Sequence, residues 1–335
     1  MKKFLIVLIA LSIACFGWYR WSLLPVDSAS KQRIVVKIES GSTTRKISNL
    51  LFEKGVIRSP LAFRIYAHIH GVNRGLQAGK FVIEPSRSVS EIADILHAGK
   101  SQEVSVTIPE GYSVLDIDHL LAAKGLSETG ALLHCAQTCD FSSFAFLPKA
   151  AAGLAARGGK LEGYLFPNTY FADADGFVPK FFLERMLNAF RANVVEAHAA
   201  DIAASGRSLH AIVTMASLIE EETRTDEERP IVSGILWKRL DGSRGLGVDA
   251  TVRYILQKQK DSLTEKDLLV KSAYNTRKYK GLPPGPIANA GIKSIIAALK
   301  PVPSEYWYYL HDREGHIHYA KTNDEHNANR SRYLP

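Results

Sequence analysis

The segment from Leu209 to Arg224 is apolar for most of its length and ends in three consecutive acids, Glu220, Glu221 and Glu222. Successive residues of a helix are roughly 100° apart. On that period Ala211, Met215, Leu218 and Ile219 share one side, and Glu222 falls in the middle of it. Glu220 points the opposite way and Glu221 to a flank, so these two are predicted to reach water. Glu222 is predicted to lie over the apolar side. A carboxylate there loses solvation, which raises its pKa and suits it to general acid work. An acidic helix end over a packed core is also a common structural arrangement, and the pattern alone leaves both readings open.

The remaining pattern predicts mixed elements. Ile34–Ile38, Lys80–Ile83 and Val104–Pro109 read as strands. Thr43 and Thr44 offer caps for a helix through 47–51. Leu61–His70 is a second helix, and Val89–His97 a third, with Ser88 as N-cap and Glu91 at the third helical position. Further helices are expected at 113–124, from Ser127 onward, through Phe177–Ala203 as one long region, and at 231–240, 250–258 and 291–299. Asp226–Pro230 reads as a polar break, Ala150–Lys160 as a mobile loop, and 305–310 with 317–320 as a hairpin. The expected class is α+β.

The N-terminus differs from the rest. Lys2 and Lys3 precede an apolar run from Phe4 to Trp18, and Trp18, Tyr19 and Trp21 follow as an aromatic cluster. Continued to Leu24, the segment has about the 20 residues that span a bilayer. The lysines favour a cytoplasmic start and the aromatics mark the far interface. An uncleaved single-pass transmembrane helix is expected, with a cleaved signal peptide as the competing reading. Cys15 follows a poor lipobox-like pattern, so lipid anchoring there stays open. The expected division is 1–24 for the cytoplasmic tip and anchor, 25–33 for a linker, 34–103 for a small α/β subdomain and 104–335 for the main domain.

Composition narrows the partners. The chain has 335 residues, 46% of them hydrophobic and 23% charged, which is ordinary for a globular protein. A net charge of +8, from 42 basic and 34 acidic residues, suits nucleic acid, anionic lipid or an acidic polymer. No basic run interleaved with aromatics supports nucleic acid, and none is expected as partner. Three cysteines exclude a disulfide scaffold. Cys135 and Cys139, four apart, read as two free thiols or one local disulfide. His311, His316 and His318 lack an obvious completing ligand, so neither metal nor cofactor is expected.

Several loops carry polar and aromatic residues at close spacing. LEGYLFPNTY at 161–170 offers Glu162, Tyr164 and Asn168. Aromatic rings and polar groups together suit a carbohydrate surface, although a turn over the core uses the same types. Asp249 precedes a helix and reads as an ordinary cap. AYNT at 273–276 offers Tyr274, Asn275 and Thr276. In GLPPGPIAN at 281–289, Pro283, Pro284 and Pro286 impose a rigid path that would hold Asn289 in place.

Those pieces, together with MASLIEEET, the DAT step at 249–251 and the EHN at 325–327, resemble the YceG-like family of membrane-anchored endolytic murein transglycosylases. The resemblance runs over nearly the whole chain. It implies an N-terminal span, a LysM-like α/β subdomain over 34–103 and a mixed α+β catalytic domain over 104–335. It implies a bacterial cytoplasmic (inner) membrane protein with its catalytic domain extracytoplasmic. The activity implied is non-hydrolytic cleavage of peptidoglycan glycan strands between MurNAc and GlcNAc, leaving 1,6-anhydro ends. The second Glu of the family's E-x-E-T motif falls on Glu222, which is thereby the catalytic candidate. Glu162, Tyr164, Asn275 and His326 are candidates for positioning the sugar. The same motifs add Asn168, Glu220, Asp249, Tyr274, Thr276, Pro283, Pro284, Asn289 and Asn327 as substrate-binding candidates. Ala250 stands where the family often has proline, and Arg253 where it is often aliphatic; both are expected to tune the groove. A place beside peptidoglycan synthases, ending growing strands, is what the resemblance suggests. A hydrolase of the same glycan, needing a second acid such as Glu162 or Asp249, and a non-enzymatic wall-binding scaffold are the alternatives.

Overall fold

A computed structural model describes residues 2–98, 103–149, 158–173, 176–258 and 263–334; for residues 2, 3, 5, 6, 8, 9, 80 and 103 it describes the backbone alone. The loop expected over 150–160 therefore lies mostly outside the described residues. The chain divides into two compact units. One comprises Met1–Val104 with Phe171–Phe177, the other Ser105–Tyr170 with Val178–Pro335. Among the described residues, the mixture of many helices with three two-stranded sheets is α+β, as expected.

The first unit contains α1 (Lys2–Ser22), β1 (Ile34–Ile38), α2 (Thr44–Glu53), α3 (Pro60–Ile69), β2 (Gly79–Ile83) and α4 (Val89–Ala98). β1 and β2 pair antiparallel, with Ile34 opposite Ile83 and Ile38 opposite Gly79. Val36 and Ile38 of β1 join Leu51, Phe63, Ile83, Ile92 and Leu96 in one buried core. The helix starts follow local side-chain chemistry. Thr43 accepts from the Lys46 N–H at 3.2 Å and Ser59 from Ala62 at 3.3 Å. Ser88 and Glu91 form the reciprocal pair that its spacing predicts, with the Ser88 N–H donating to Glu91 Oε2 at 2.7 Å.

The N-terminal apolar run is a helix of 21 residues, and Phe4, Val7, Leu11, Ile13 and Phe16 stand exposed on it. Among the described residues no helix is long and apolar enough to cross a membrane. The segment expected as a linker begins under restraint. Leu23 packs against the core of this unit, and its carbonyl accepts from Val89 at 3.0 Å. The Asp27 N–H donates to Pro85, and Arg58 donates to the carbonyls of Pro25 and Val26.

The chain continues through β3 (Glu103–Thr107), α5 (Val114–Ala123), α6 (Ala131–Thr138) and β4 (Thr169–Asp173), which pairs with β3. Cys135 and Cys139 are joined by a disulfide. The expected long helix over 177–203 is broken into α7 (Pro179–Phe190), a π-helical turn over Arg191–Glu196 and α8 (Ala199–Ala204). The wide turn places Val194 in the core.

Next come α9 (Leu209–Glu222), α10 (Glu228–Asp241), α11 (Asp249–Leu256), α12 (Glu265–Leu268) and α13 (Ile292–Leu299). The polar break expected at 226–230 ends earlier, because α10 starts at Glu228 and carries Pro230 in its first turn. Proline is tolerated there, where its missing N–H has no helical partner to lose. The predicted hairpin is β5 (Tyr308–His311) paired antiparallel with β6 (Ile317–Ala320). A final helix, α14 (Asn323–Tyr333), has no buried residue, so apolar periodicity gave no sign of it.

α9 is the centre of this unit. Every residue from Ile212 to Ile219 is buried, while Ala211 is only partly so. The helix is enclosed on all sides instead of presenting one apolar stripe, and α10, α11 and α13 pack on it. Ser217 satisfies itself inside that core by donating to the Thr214 carbonyl at 2.8 Å and accepting from the Ile287 N–H at 3.1 Å.

Candidate active site

The three acids at the end of α9 have separate surroundings. Glu220 was expected to face water. Its side chain is only 8% exposed, pairs with Arg229 at 3.6 Å and accepts from the Gly291 N–H at 3.0 Å. It ties α9 to the start of α13 and to α10. The expectation failed because it assumed a solvated far side, and packing on all sides leaves none. Glu221 is exposed and lines a cleft of about 780 Å³ with Glu110, Tyr112, Asp116, His119, Arg253 and Tyr254. Its carboxyl is pushed up to about 7 by desolvation first and by Glu220 and Glu222 next.

Glu222 lines a different cleft, of about 670 Å³, with Arg239, Arg244, Asp249, Arg277, Tyr309 and His326 among its walls. It keeps a partial opening to solvent, yet the protein around it pushes its pKa up to about 7. Desolvation is the main cause; the Tyr309 hydrogen bond and the charges of Arg253 and Arg239 act the other way. The Tyr309 hydroxyl donates to Glu222 Oε2 at 2.8 Å. A donor held on one oxygen leaves the other free to carry and deliver a proton. Burial also holds the Tyr309 hydroxyl well above its ordinary pKa, so it remains a donor.

Asp249, the other acid lining this cleft among the described residues, is the first residue of α11 and not its cap, which is Val248. It is paired with Arg277. His311 is bonded to Glu228 at 3.1 Å, and His318 to Asp312 at 2.9 Å. Each of these histidines thus has a carboxylate partner. No group of three or more metal-ligating side chains occurs among the described residues.

A sequence model of the YceG-like family matches residues 36–332. The chain belongs to the YceG-like family. A Bacillus subtilis relative named endolytic murein transglycosylase is 33% identical over 326 residues, covering 94% of this chain and 89% of that one. A Streptococcus pneumoniae relative of the same name is 29% identical; the match covers 98% of this chain but only 64% of the relative's length. The crystal structure of a YceG-like protein from Listeria monocytogenes superposes with a TM-score of 0.62 at 30% identity, over 89% of this chain and 99% of that one.

Of the residues expected to touch substrate in this YceG-like chain, Asp249 and His326 join Glu222 in the cleft. His326 stacks on Tyr308 with ring centroids 5.2 Å apart. Most of the others are inside the fold. Asn275 is fully buried; its amide donates to the Leu268 and Val270 carbonyls at 2.9 and 3.0 Å and accepts from Arg277 at 3.1 Å. Asn289, also fully buried, accepts from Leu165 at 2.9 Å and donates to the Tyr112 carbonyl at 2.8 Å. Thr276 accepts from the Val248 N–H at 3.0 Å, holding the chain just before Asp249. Buried Tyr274 leans on Tyr254, ring centroids 5.5 Å apart. These side chains position loops and have little or no surface for a sugar.

The first loop behaves the same way. Tyr164 is buried and bonds to His210 Nδ1 at 3.0 Å, while His210 Nε2 meets the Pro284 carbonyl at 2.9 Å. A carbonyl only accepts, so Nε2 carries the hydrogen and, in the neutral ring, Nδ1 accepts from Tyr164. This chain of bonds joins 161–170 to the proline loop through α9. Pro283, within that loop, is buried. Gly163 sits between them at φ 83°, where a Cβ would overlap the Pro286 ring and touch Val213 Cγ1 at 3.0 Å. Glu162 is buried, accepts from the Val114 N–H at 3.0 Å and the Tyr254 hydroxyl at 2.9 Å, and is pushed up to about 7 mainly by desolvation. Asn168 and Asn327 are exposed and line neither cleft. Sequence reasoning missed Tyr309, Arg239, Arg244, Arg277 and Arg330; Tyr309 lies 87 residues from Glu222 along the chain, beyond any local pattern.

Proposed function

We propose that this chain is a peptidoglycan lytic transglycosylase, a lyase, in which Glu222 is the one catalytic acid and base. The observation that carries the reading is Glu222 itself. It is the second Glu of the family motif, opens on a cleft, has a pKa near 7 and keeps one oxygen free of Tyr309. Protonated Glu222 donates to the glycosidic oxygen as the bond between MurNAc C1 and GlcNAc O4 breaks. The departing strand leaves with a hydroxyl. The MurNAc C6 oxygen then closes onto C1, and Glu222 takes the C6 hydroxyl proton. Its proton is restored, a 1,6-anhydro end forms and no water is consumed.

A hydrolase of the same bond needs a second carboxylate, as nucleophile or as base for water. Glu162 is buried under two hydrogen bonds and lines neither cleft, while Asp249, which shares the Glu222 cleft, is held in an ion pair with Arg277. This favours the intramolecular nucleophile.

The apolar run at 4–18 and its exposed side chains support a single-pass anchor in the cytoplasmic membrane, with the enzyme on the outer side. The two-stranded, helix-covered first unit supports a LysM-like module that holds glycan. At that surface, beside peptidoglycan synthases, the cuts would end the elongation of nascent strands.

The test is digestion of purified peptidoglycan by the full chain and by Glu222→Gln, with fragments weighed by mass spectrometry. Anhydro ends from the wild type, reduced about 10²–10⁴-fold in the variant, are expected. Fragments heavier by one water would establish a hydrolase. No cleavage by folded wild type would favour a wall-binding scaffold.

A further inference from the structure

The Glu222 cleft carries more positive charge than its acids balance. Arg239, Arg244, Arg277 and Arg330 line it, against Asp249 and Glu222. Arg277 is paired with Asp249. Arg239 is committed to the backbone, donating to the Trp307 carbonyl at 2.7 Å and the Leu246 carbonyl at 2.8 Å. Arg244 lies over the Trp307 ring at 4.1 Å, which fixes the plane of its guanidinium and leaves its edge available. Arg244 and Arg330 are both exposed, and among the described residues neither has a carboxylate partner. Hydroxyl and acetamide groups of a neutral glycan need no such charge.

We propose that Arg244 and Arg330 form a carboxylate subsite in the Glu222 cleft, which selects strands bearing an acidic substituent on the muramoyl residue. This rests on the transglycosylase reading and names what the site asks of its substrate. A muramoyl sugar carries a lactyl ether. Its carboxyl is either free or linked to a peptide with carboxylates of its own. Both present the same planar group to a guanidinium, which can bind it through two parallel N–H donors. The lateral charge would hold the strand while Glu222 works on the glycosidic oxygen.

The test compares kcat/KM of the full chain on two kinds of soluble strand. One has its stem peptides removed and the lactyl carboxylates free; the other is uncrosslinked with its peptides intact. Each is assayed as the acid and after carbodiimide coupling of its carboxylates to methylamine. Wild type should prefer the acid form by at least about tenfold, through KM, and lose that preference at high salt. Arg244→Gln with Arg330→Gln should bring the ratio close to one, and the double Lys variant should restore part of it. Preference on the peptide-free strand assigns the lactyl carboxylate; preference only on the peptide-bearing strand assigns the peptide. Equal rates on acid and amide, or a ratio unchanged in the double Gln variant, overturn the proposal. If wild type yields anhydro ends from no strand, the transglycosylase reading falls and takes the proposal with it. Both arginines are exposed, and unchanged thermal unfolding of the variants confirms their fold.

Discussion

At the scale of single residues, one hydrogen bond and one desolvation set the behaviour of Glu222. The Tyr309 bond favours the ionised carboxylate, whereas burial opposes it and prevails. Removing the hydroxyl in Tyr309→Phe should therefore raise the Glu222 pKa further. The loss of kcat/KM on the alkaline side, where the acid form disappears, should move to higher pH. A pH–rate profile of the variant against wild type reads this directly. The same carboxyl lowers stability. Its pKa is about 7 in the folded chain against roughly 4.3 for an unperturbed Glu. The folded state thus binds the extra proton, and stability falls as pH rises from about 4.5 to 7. Glu222→Gln cannot ionise. It should be more stable than wild type above pH 7, on the order of 1–2 kcal/mol given the solvent that reaches the cleft, with no gain at pH 4. Thermal unfolding across that range checks it.

At the scale of elements, the site is an assembly of loops pinned to α9, α11 and the β5–β6 hairpin. Asn289 shows how the pinning works, because its amide holds the backbone of both 161–170 and the turn before α5. Asn289→Ala leaves buried backbone groups unpaired and should cost about 2–4 kcal/mol. The lower melting temperature should come with a KM close to wild type in the fraction that folds; a large rise in KM at unchanged stability would mean that Asn289 touches the glycan instead. The sequence marked these loops correctly as special, through prolines and close-spaced polar residues. It could not tell a polar residue that faces substrate from one that satisfies buried backbone, since both are conspicuous for the same reason. The C-terminal helix was not read from the sequence: Thr322 caps its start, accepting from the Glu325 N–H at 3.2 Å, but no apolar run follows that cap.

At the scale of the whole molecule, the apolar α1 and the restrained segment after it predict where the chain tolerates cutting. Leu23, Pro25 and Val26 are bonded to or packed on the first unit. A chain starting at Leu23 should leave the membrane fraction and lose in thermal stability only what the Trp21 ring against Arg58 and the buried Ser22 contribute. One starting at Ser28 should also leave it but unfold at lower temperature, by about 1–3 kcal/mol for the lost packing of Leu23 and the bonds from Arg58. Fractionation and calorimetry of the two truncations against the full chain decide this. A Ser28 start as stable as the Leu23 start would make the segment a free linker.

The sequence alone determined what local chemistry dictates: helix starts at Thr43, Ser88 and Ser113, the strand at 34–38, the hairpin, the apolar N-terminal run and the motif that singles out Glu222. These depend on neighbours a few residues apart, whose spacing is written in the chain. Tertiary structure decided what surrounds each group. It enclosed α9 on every side, turned Glu220 into an internal tie, brought Tyr309 to Glu222 and gathered four arginines round a cleft. Desolvation and charge balance depend on atoms from distant segments, and no local period records which of those segments will meet.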